Sequence, residues 1–308
     1  MAFTAKDVQA LREKTGCGMM DCKKALTEAN GDMEKAVELL REKGLAAAAK
    51  KSGRIAAEGV VLAVVDEAKK VGAVIEVNSE TDFVGKNASF VSFVEDCAKT
   101  VIDENPADVE ALSECKLAGG KDTVAEALRE KILTIGENIK IRRFARYEGE
   151  LISYVHGGGT IGVLVRFNTT PEIAAKPEFK VMAKDVAMQI AALNPAYLNK
   201  EAVPADVLEK EKEILMAQIS NDEKLKNKPA QVIAKMVEGK IGKYYKENCL
   251  VDQAFVKDGN ISVAKYIADT AAALGGDISV AEYVRFEKGE GLEKRVDNFA
   301  DEVASMVK

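Results

Sequence analysis

Residues 71–78 have the sequence Val-Gly-Ala-Val-Ile-Glu-Val-Asn, and residues 161–168 have the similar sequence Ile-Gly-Val-Leu-Val-Arg-Phe-Asn. The two stretches match at a constant spacing of 90 positions. Each follows another short apolar run and precedes a segment in which apolar residues recur every three or four positions. Similarity at a fixed spacing indicates an internal repeat. We therefore predict a core built from two copies of a strand-strand-helix unit.

Each copy predicts a β-hairpin followed by a helix. Strands at residues 60–65 and 71–77 flank a charged turn, and strands at residues 151–155 and 161–167 flank a glycine turn. The helices that follow turn apolar residues to one face: Phe90, Phe93, Val94, Cys97, Ala98 and Val101 in the first copy, and Phe179, Met182, Ala183, Val186, Ala187 and Ile190 in the second. Together with the other helical segments, this predicts an α+β fold.

The loop after the second strand differs between the copies. Residues 78–84 are Asn-Ser-Glu-Thr-Asp-Phe-Val, whereas the second copy has Pro171-Glu172-Ile173 in place of Thr81-Asp82-Phe83. A phenylalanine beside a carboxylate in a polar loop either covers the core under the next helix or points toward a partner. Because the second copy lacks the Asp-Phe pair, the scaffold does not require it, and this favours partner binding.

The first 54 residues predict three short helices. Thr4 caps the first helix, Asn30-Gly31 ends the second, and Asp32 caps the third. Gly44 is predicted to end the third helix, which leaves residues 45–54 as a linker with helical tendency. Three short helices around an Asn-Gly-Asp turn resemble a ubiquitin-associated (UBA) domain, a docking module without catalytic groups.

Residues 200–246 predict a charged helical hairpin. One apolar stripe consists of Val207, Leu208, Ile214, Leu215 and Ile219, and the other of Ile233, Met236, Val237, Ile241 and Tyr244. Two amphipathic helices joined by a polar turn indicate an antiparallel coiled-coil arm. The alternative is that both helices pack back on the core. The narrow stripes favour a protruding arm, through which two copies could form a homodimer.

The last part of the chain predicts a helix at residues 262–274, a strand and a tail. The strand alternates at Ile278, Val280, Val284 and Phe286, with a bulge near Tyr283. The tail predicts a C-terminal helix that packs on the chain's own core or on a partner through Leu292, Val296, Phe299, Val303 and Met306. The predicted domains are residues 1–54, 55–148, 149–288 with the arm inserted at about 200–246, and 289–308.

Composition excludes several classes of function. The chain has a net charge of -6 and a pI of about 5.3, which argues against binding of a nucleic-acid backbone. The short basic runs at residues 50–54 and 140–143 are predicted to be solvated faces. No stretch approaches the roughly 20 apolar residues of a membrane span, and the first residues lack a signal peptide's apolar run. Five scattered cysteines indicate a reducing compartment, so we expect a cytoplasmic protein.

The sequence contains no recognisable enzymatic site. Residues 157–162 satisfy G-x-G-x-x-G, but a strand follows where a dinucleotide site needs a helix. There is no P-loop motif, a single histidine leaves no Ser-His-Asp arrangement, and Cys17 and Cys22 lack a second ligand pair for zinc. We therefore expect no catalytic activity, no cofactor and no metal. His156, at the tip of the second hairpin, is a candidate contact residue.

Several segments together resemble the bacterial elongation factor Ts family. They are residues 15–26, residues 76–84, residues 136–139 with Arg142-Arg143, His156-Gly157, and residues 236–239. Because they are spread over nearly the whole chain, the resemblance is far more specific than the isolated glycine motif. It implies the long form of the factor, with a UBA-like domain, a duplicated α+β core, a coiled-coil arm and a C-terminal helical module.

The resemblance also implies a function, guanine-nucleotide exchange on elongation factor Tu, which would be bound both with GDP and without nucleotide. Asp82 and Phe83, between Thr81 and Val84, would enter the GTPase domain of Tu and disturb its Mg²⁺ site. Met19 and Met20 would dock on the same domain. His156 would face another Tu domain, and the tail would make a further contact with the GTPase domain.

Two other classes of function remain open. One is a non-catalytic adaptor, in which a UBA-like docking module is tethered to an oligomerising core. It leaves unexplained why Asp-Phe occupies only one copy of the repeat. The other is a metabolic enzyme with an unrecognised site, for which the sequence offers no residue cluster.

Overall fold

The structure, a computed structural model, describes residues 3–222, 225 and 228–294. Its first three helices form a small bundle: α1 (Ala5–Thr15), α2 (Met19–Glu28) and α3 (Met33–Lys51). The side chains of Thr4 and Asp32 accept hydrogen bonds from backbone N–H groups in the first turns of α1 and α3, which confirms both predicted caps. The bundle has its own core, which includes Leu11, Cys22, Ala25, Leu26, Ala36 and Leu40.

The predicted end of the third helix at Gly44 is wrong, whereas the helical tendency predicted for residues 45–54 is confirmed as far as Lys51. α3 continues through Gly44 and four alanines to Lys51. Alanine has the highest helix propensity. Gly44 lies against the backbone of Arg129, where an added Cβ would stand 3.6 Å from the carbonyl oxygen. A Cβ would fit at that distance, so the site does not require glycine, and Gly44 simply continues the helix.

The first repeat is a three-stranded antiparallel sheet with helices packed on it. In chain order its elements are β1 (Glu58–Asp66), β2 (Val71–Ser79), α4 (Ala88–Glu104), α5 (Val109–Glu114), α6 (Val124–Ile135) and β3 (Lys140–Glu148). The sheet order is β1-β2-β3. The predicted hairpin and helix are confirmed, and the predicted apolar face of α4 is buried.

β3 begins where the sequence predicts only a solvated basic run. That prediction is wrong for Arg142 and Arg143, whose guanidinium groups bind the buried carboxylate of Glu76 on β2 at 3.0 and 2.7 Å. The two arginines serve a carboxylate far away in the sequence, so the local charge pattern did not reveal their partner.

The second repeat starts with the same elements, β4 (Glu150–His156), β5 (Ile161–Asn168), the short α7 (Pro171–Ala174) and α8 (Pro177–Leu193). A helical hairpin follows, α9 (Ala205–Asn221) and α10 (Ala230–Asn248). The chain continues with β6 (Ala254–Phe255), β7 (Asp258–Ser262), α11 (Val263–Leu274) and β8 (Ser279–Glu287). β8 completes a second sheet of order β4-β5-β8, so the mixed α+β class is confirmed.

The duplication extends to the irregularities of the two sheets. The second strand of each repeat shifts register against the third, between Glu76 and Val77 in one sheet and between Arg166 and Phe167 in the other. These positions are 90 residues apart, the spacing found in the sequence. In β8 the shift falls at Ala281, close to the bulge predicted near Tyr283.

The two sheets pack against each other at the glycines that the repeats share. A Cβ added to Gly72 would stand 2.8 Å from Leu164 Cδ1, and one added to Gly162 would stand 2.5 Å from Val61 Cγ1. The missing side chain of each glycine thus leaves room for an apolar side chain of the opposite sheet. The apolar cluster around this contact consists of Val61, Ala63, Val74, Leu164 and Phe286.

The predicted helical hairpin is present, with α9 and α10 in contact with each other. Leu215, Ile219 and Ile241 are buried, whereas Ile214 is 43% exposed, so its assignment to the apolar stripe is wrong. The Tyr197 N–H donates to the Asn248 carbonyl at 3.0 Å, which closes the base of the hairpin. The hairpin is therefore an insertion whose two ends meet. Its coiled-coil character stays a prediction.

No helix within the described ranges is long and apolar enough to cross a membrane. The predicted C-terminal helix starts at Leu292, and its apolar positions from 296 onward lie outside those ranges. The division of the chain into four domains stays a prediction.

Candidate partner-binding site

Phe83 projects from the loop between β2 and α4. The nine residues of β2 are all buried, and the chain reaches the surface at Glu80. The side chain of Phe83 is 77% exposed, whereas the next residue, Val84, is 5% exposed and belongs to the core of the first repeat. Phe83 therefore does not cover the core. Val84 fills that place.

The first half of this loop is fixed by Glu137, just after α6. One oxygen of the Glu137 carboxylate accepts hydrogen bonds from the N–H groups of Glu80 and Thr81, both at 3.0 Å. The other oxygen accepts from the Thr81 hydroxyl at 2.6 Å. In return, the Glu80 carboxylate accepts from the Asn138 N–H at 2.6 Å. These bonds hold the backbone immediately before Asp82 in one position.

Asp82 and Phe83 share the exposed surface of the loop with Lys86. The Lys86 ammonium donates to the Asp82 carboxylate at 3.1 Å, and it also lies 6.0 Å from the centre of the Phe83 ring. The hydrogen bond and charge of Lys86 lower the pKa of Asp82. The loop therefore presents an ionised carboxylate beside an exposed aromatic ring at neutral pH.

The turn that carries His156 lies along the same strand edge as this loop. Gly85 and Gly159 both pack on Val60 of β1, since a Cβ added to either would stand 3.4 or 3.0 Å from the Val60 side chain. The Val61 N–H also donates to the Gly159 carbonyl at 2.8 Å. The structure thus brings the 81–84 loop and the 157–160 turn to adjoining positions on β1.

His156 is exposed at the end of β4, as predicted for the hairpin tip. Its Nδ1 lies 2.9 Å from the Tyr154 hydroxyl, and the two ring centres are 6.0 Å apart. This contact orients the imidazole ring and leaves its other nitrogen facing away from Tyr154. The ring can therefore offer a polar contact to a partner.

Met19 and Met20 lie on a different part of the molecule. They begin α2, and both side chains are exposed. The bundle that carries them joins the rest of the chain chiefly through α3, which packs on α6. An ion pair between Arg41 and Asp122 at 3.0 Å supports the same contact.

Glu76 connects the site to the last described segment, and sequence reasoning missed it. The carboxylate is fully buried and accepts from the Gly289 N–H at 2.8 Å in addition to the two arginines of β3. Burial raises the pKa of Glu76, but the hydrogen bonds that it accepts outweigh burial and hold the pKa below its usual value. The equivalent residue of the second repeat is Arg166, which binds Glu282 at 2.6 Å, so the charges of the pair are reversed.

Glu137 was also missed as a member of the site. It lies in residues 136–139, one of the segments that carry the family resemblance, but no local pattern says that it binds the loop 56 residues earlier. For Glu76 a signal existed, because a charged residue interrupts an otherwise apolar strand. Such a residue in a buried strand requires a partner.

A family model and several curated relatives all match this chain to one protein family. The family model described as "Elongation factor TS" matches residues 80–290, a range that begins at the loop clamp. The chain is 53% identical to elongation factor Ts of Clostridium perfringens over 307 residues, 99% of each chain. It is 50% identical to that of Clostridium kluyveri over 309 residues, again 99% of each. Identity to the Clostridium botulinum factor is 51% over 305 residues, 98% of this chain and 97% of the relative.

Proposed function

The chain belongs to the elongation factor Ts family, and from this premise we propose that it is a guanine-nucleotide exchange factor for elongation factor Tu. It binds Tu that carries GDP, promotes the release of GDP, and leaves Tu free to bind GTP during translation elongation in the cytoplasm. It makes and breaks no covalent bond, so it is not an enzyme in the usual sense.

The observation that carries this proposal is the exposed ring of Phe83 on a fixed loop. Burial of one phenylalanine contributes about 1.5–3 kcal/mol, or roughly one to two decades in a binding constant. Because Glu137 and Asn138 already hold the backbone before Asp82, little conformational entropy is lost when the ring enters a partner. We propose that Phe83 inserts into the GTPase domain of Tu as a wedge.

Asp82 acts beside the wedge. In the free protein its carboxylate is paired with Lys86 at the surface, where the pair can separate at little cost. We propose that this carboxylate disturbs the ligands and waters of the Mg²⁺ in Tu. Loss of the metal's charge compensation weakens binding of the diphosphate. The coupling is reciprocal, so GDP weakens binding of this protein by the same factor.

The other contacts distribute the affinity over the molecule. We propose that Met19 and Met20, on a UBA-like domain of residues 1–54, dock on the GTPase domain, and that His156 faces a second domain of Tu. The core subdomains are residues 55–148, which carry Thr81 to Val84, and residues 149–288. The hairpin at about 200–246 is a coiled-coil arm through which two copies can pair. The module at 289–308 makes a further contact with the GTPase domain of Tu.

The wedge is tested by the release of fluorescent GDP from Tu in stopped flow. We expect the double variant D82A/F83A to slow release about tenfold or more at equal concentration, because it loses both the ring and the carboxylate. Glu137→Ala should also slow release, although its side chain need not touch Tu, because it frees the loop. Circular dichroism should show the same folding in D82A/F83A, in Glu137→Ala and in the wild type.

The matched control is Val181→Ala, which removes an exposed apolar side chain from α8 in the second repeat. Its release rate should equal that of the wild type. If Tu released GDP as fast with D82A/F83A as with the wild type, the wedge mechanism would be wrong. If no variant or wild-type protein accelerated release, the exchange function itself would be wrong.

A further inference from the structure

The end of α3 lies against the loop clamp, which consists of Glu80, Thr81, Glu137 and Asn138. Beyond Lys51, where α3 ends, the chain passes the clamp on its way to β1. The Arg54 guanidinium donates to the Glu80 carboxylate at 3.4 Å. The side-chain amide of Asn138 donates to the Arg54 carbonyl at 2.8 Å. Arg54 thus contacts both segments of the clamp, the one that leads to the exposed loop and the one that follows α6.

The clamp contains two carboxylates whose charges the end of α3 compensates. Glu137 binds the N–H of Glu80, so the two acidic residues lie close together. Arg54 forms an ion pair with Glu80, whose side chain is largely buried. Burial lowers the pKa of the Lys51 ammonium, and the charges of Glu80 and Glu137 act to raise it, so Lys51 lies near both acids. Because like charges at short range repel, the two cations of α3 favour the closed clamp.

Lys51 also ties α3 to the helix that precedes Glu137. Its ammonium donates to the Ile132 carbonyl at 3.4 Å, in the last turn of α6. A cation near the carbonyl groups at a helix C-terminus is favourable. Since α3 packs on α6 as well, the position of Glu137 is fixed relative to the end of α3.

We propose that Arg54 is a positioning residue for nucleotide exchange, which acts on Asp82 and Phe83 through Glu80. This inference rests on the proposed exchange function. The guanidinium helps to hold the Glu80 carboxylate on the Asn138 N–H, and this fixes the backbone two residues before Asp82. Without the guanidinium, the loop samples more conformations, and more entropy is lost when Phe83 inserts. The helical bundle therefore supports the wedge through its last helix in addition to its docking role.

The kinetic test is the release of fluorescent GDP from Tu in stopped flow, titrated against each variant. We expect Arg54→Ala to lower the maximal rate about threefold, the effect of a half-exposed ion pair. The half-maximal concentration should stay unchanged, because the other docking contacts are intact. Arg54→Lys, which keeps the charge, should retain most of the rate. In the D82A/F83A background, Arg54→Ala should have no further effect, whereas a general structural role would lower the rate in both backgrounds.

The motion of the loop can be measured without Tu. The chain contains no tryptophan, so Phe83→Trp places a single fluorescent reporter at the exposed position. Arg54→Ala should lower the fluorescence anisotropy of this tryptophan, because the loop that carries it moves more freely. The control for both measurements is Lys50→Ala, which removes an exposed charge from the last turn of α3 and should change neither.

An equal maximal rate with Arg54→Ala and with the wild type would overturn the proposal, as would a loss of the same size in the D82A/F83A background. An unchanged anisotropy would also overturn it, because Arg54 would then have no hold on the loop. If the wild type itself failed to accelerate GDP release, the exchange function would be wrong, and the anisotropy would still decide whether Arg54 positions the loop.

Discussion

At the scale of single residues, the site depends on neighbours with opposite environments. Val84 is buried in the core, and Thr81 is bound by Glu137, so both ends of the loop are fixed. Asp82 and Phe83 between them have no place in the core and face solvent. The contrast between an exposed phenylalanine and a buried valine one position later is thus produced by the two anchors.

Glu76 is the residue for which we predict the largest effect on stability. Glu76→Gln should lower the free energy of unfolding by about 2–4 kcal/mol, because it leaves the positive charges of Arg142 and Arg143 without their buried partner. Glu282→Gln removes the equivalent pair of the second repeat, which is more exposed, and should cost about 1 kcal/mol or less. Urea unfolding followed by circular dichroism measures both.

The effect of Glu76→Gln should depend on pH. The pKa of Glu76 is held below its usual value of about 4.3, so the ionised carboxylate stabilises the fold above that value. This contribution is lost as the pH falls through the lowered pKa of the folded state. The difference between wild type and variant should therefore be complete at pH 7 and shrink in acid. A constant difference from pH 7 to pH 3 would contradict this assignment.

At the scale of secondary-structure elements, the helical hairpin is the part that depends least on its surroundings. Its two ends meet at Tyr197, whose N–H donates to the Asn248 carbonyl and whose carbonyl accepts from the Leu250 N–H. Lys200 and Asp252 add an ion pair at 3.1 Å at the same place. Since the chain closes below the hairpin, the helices can be removed without separating the strands that flank them.

We predict that replacement of residues 205–246 by a short Gly-Ser link leaves the rest of the chain folded. Exchange on Tu should persist, because the loop with Phe83 is in the first repeat. Self-association through the arm, if it occurs in the wild type, should disappear. Thermal unfolding, GDP release and light scattering are the measurements. Loss of the cooperative unfolding transition would mean that α9 and α10 are core elements.

At the scale of the whole molecule, three contacts join the parts of the described chain. The helical bundle packs on α6 through α3, the two sheets pack at Gly72 and Gly162, and the last described segment is bound by Glu76. Removal of residues 1–54 would uncover α6 and free Asn138, which donates to the Arg54 carbonyl at 2.8 Å. Point substitutions therefore test the docking role of the bundle more cleanly than deletion.

We predict that the double variant M19A/M20A weakens binding to Tu without altering the fold. Loss of two exposed methionines should raise the concentration needed for half-maximal exchange about tenfold, while the maximal rate stays unchanged, because the loop with Asp82 and Phe83 is intact. Titration of GDP release against concentration separates the two quantities. Val256→Ala, which removes an exposed side chain between β6 and β7, is the control. A normal titration curve for M19A/M20A would mean that the bundle binds something else.

Local features of the fold were predictable from the sequence. Both hairpins, the caps at Thr4 and Asp32, and the faces of α4 and α8 depend on residues within about twenty positions of one another. Over such distances, periodicity, β-branched residues and capping side chains decide the conformation. The candidate loop could be singled out for a different reason: the sequence matches itself at a spacing of 90, and comparison of the two repeats shows that the scaffold does not require Asp-Phe.

Only the tertiary structure decided which of these features are buried, exposed or held in place. Gly44 looked like a helix stop, but α3 continues through it to Lys51 and packs on α6, which lies about 80 positions further along the chain. Arg142 and Arg143 looked solvated because their carboxylate lies on another strand, and the clamp on Thr81 comes from Glu137. Burial and hydrogen bonding depend on what the folded chain brings into contact, and single-sequence periodicity carries no information about partners at that distance.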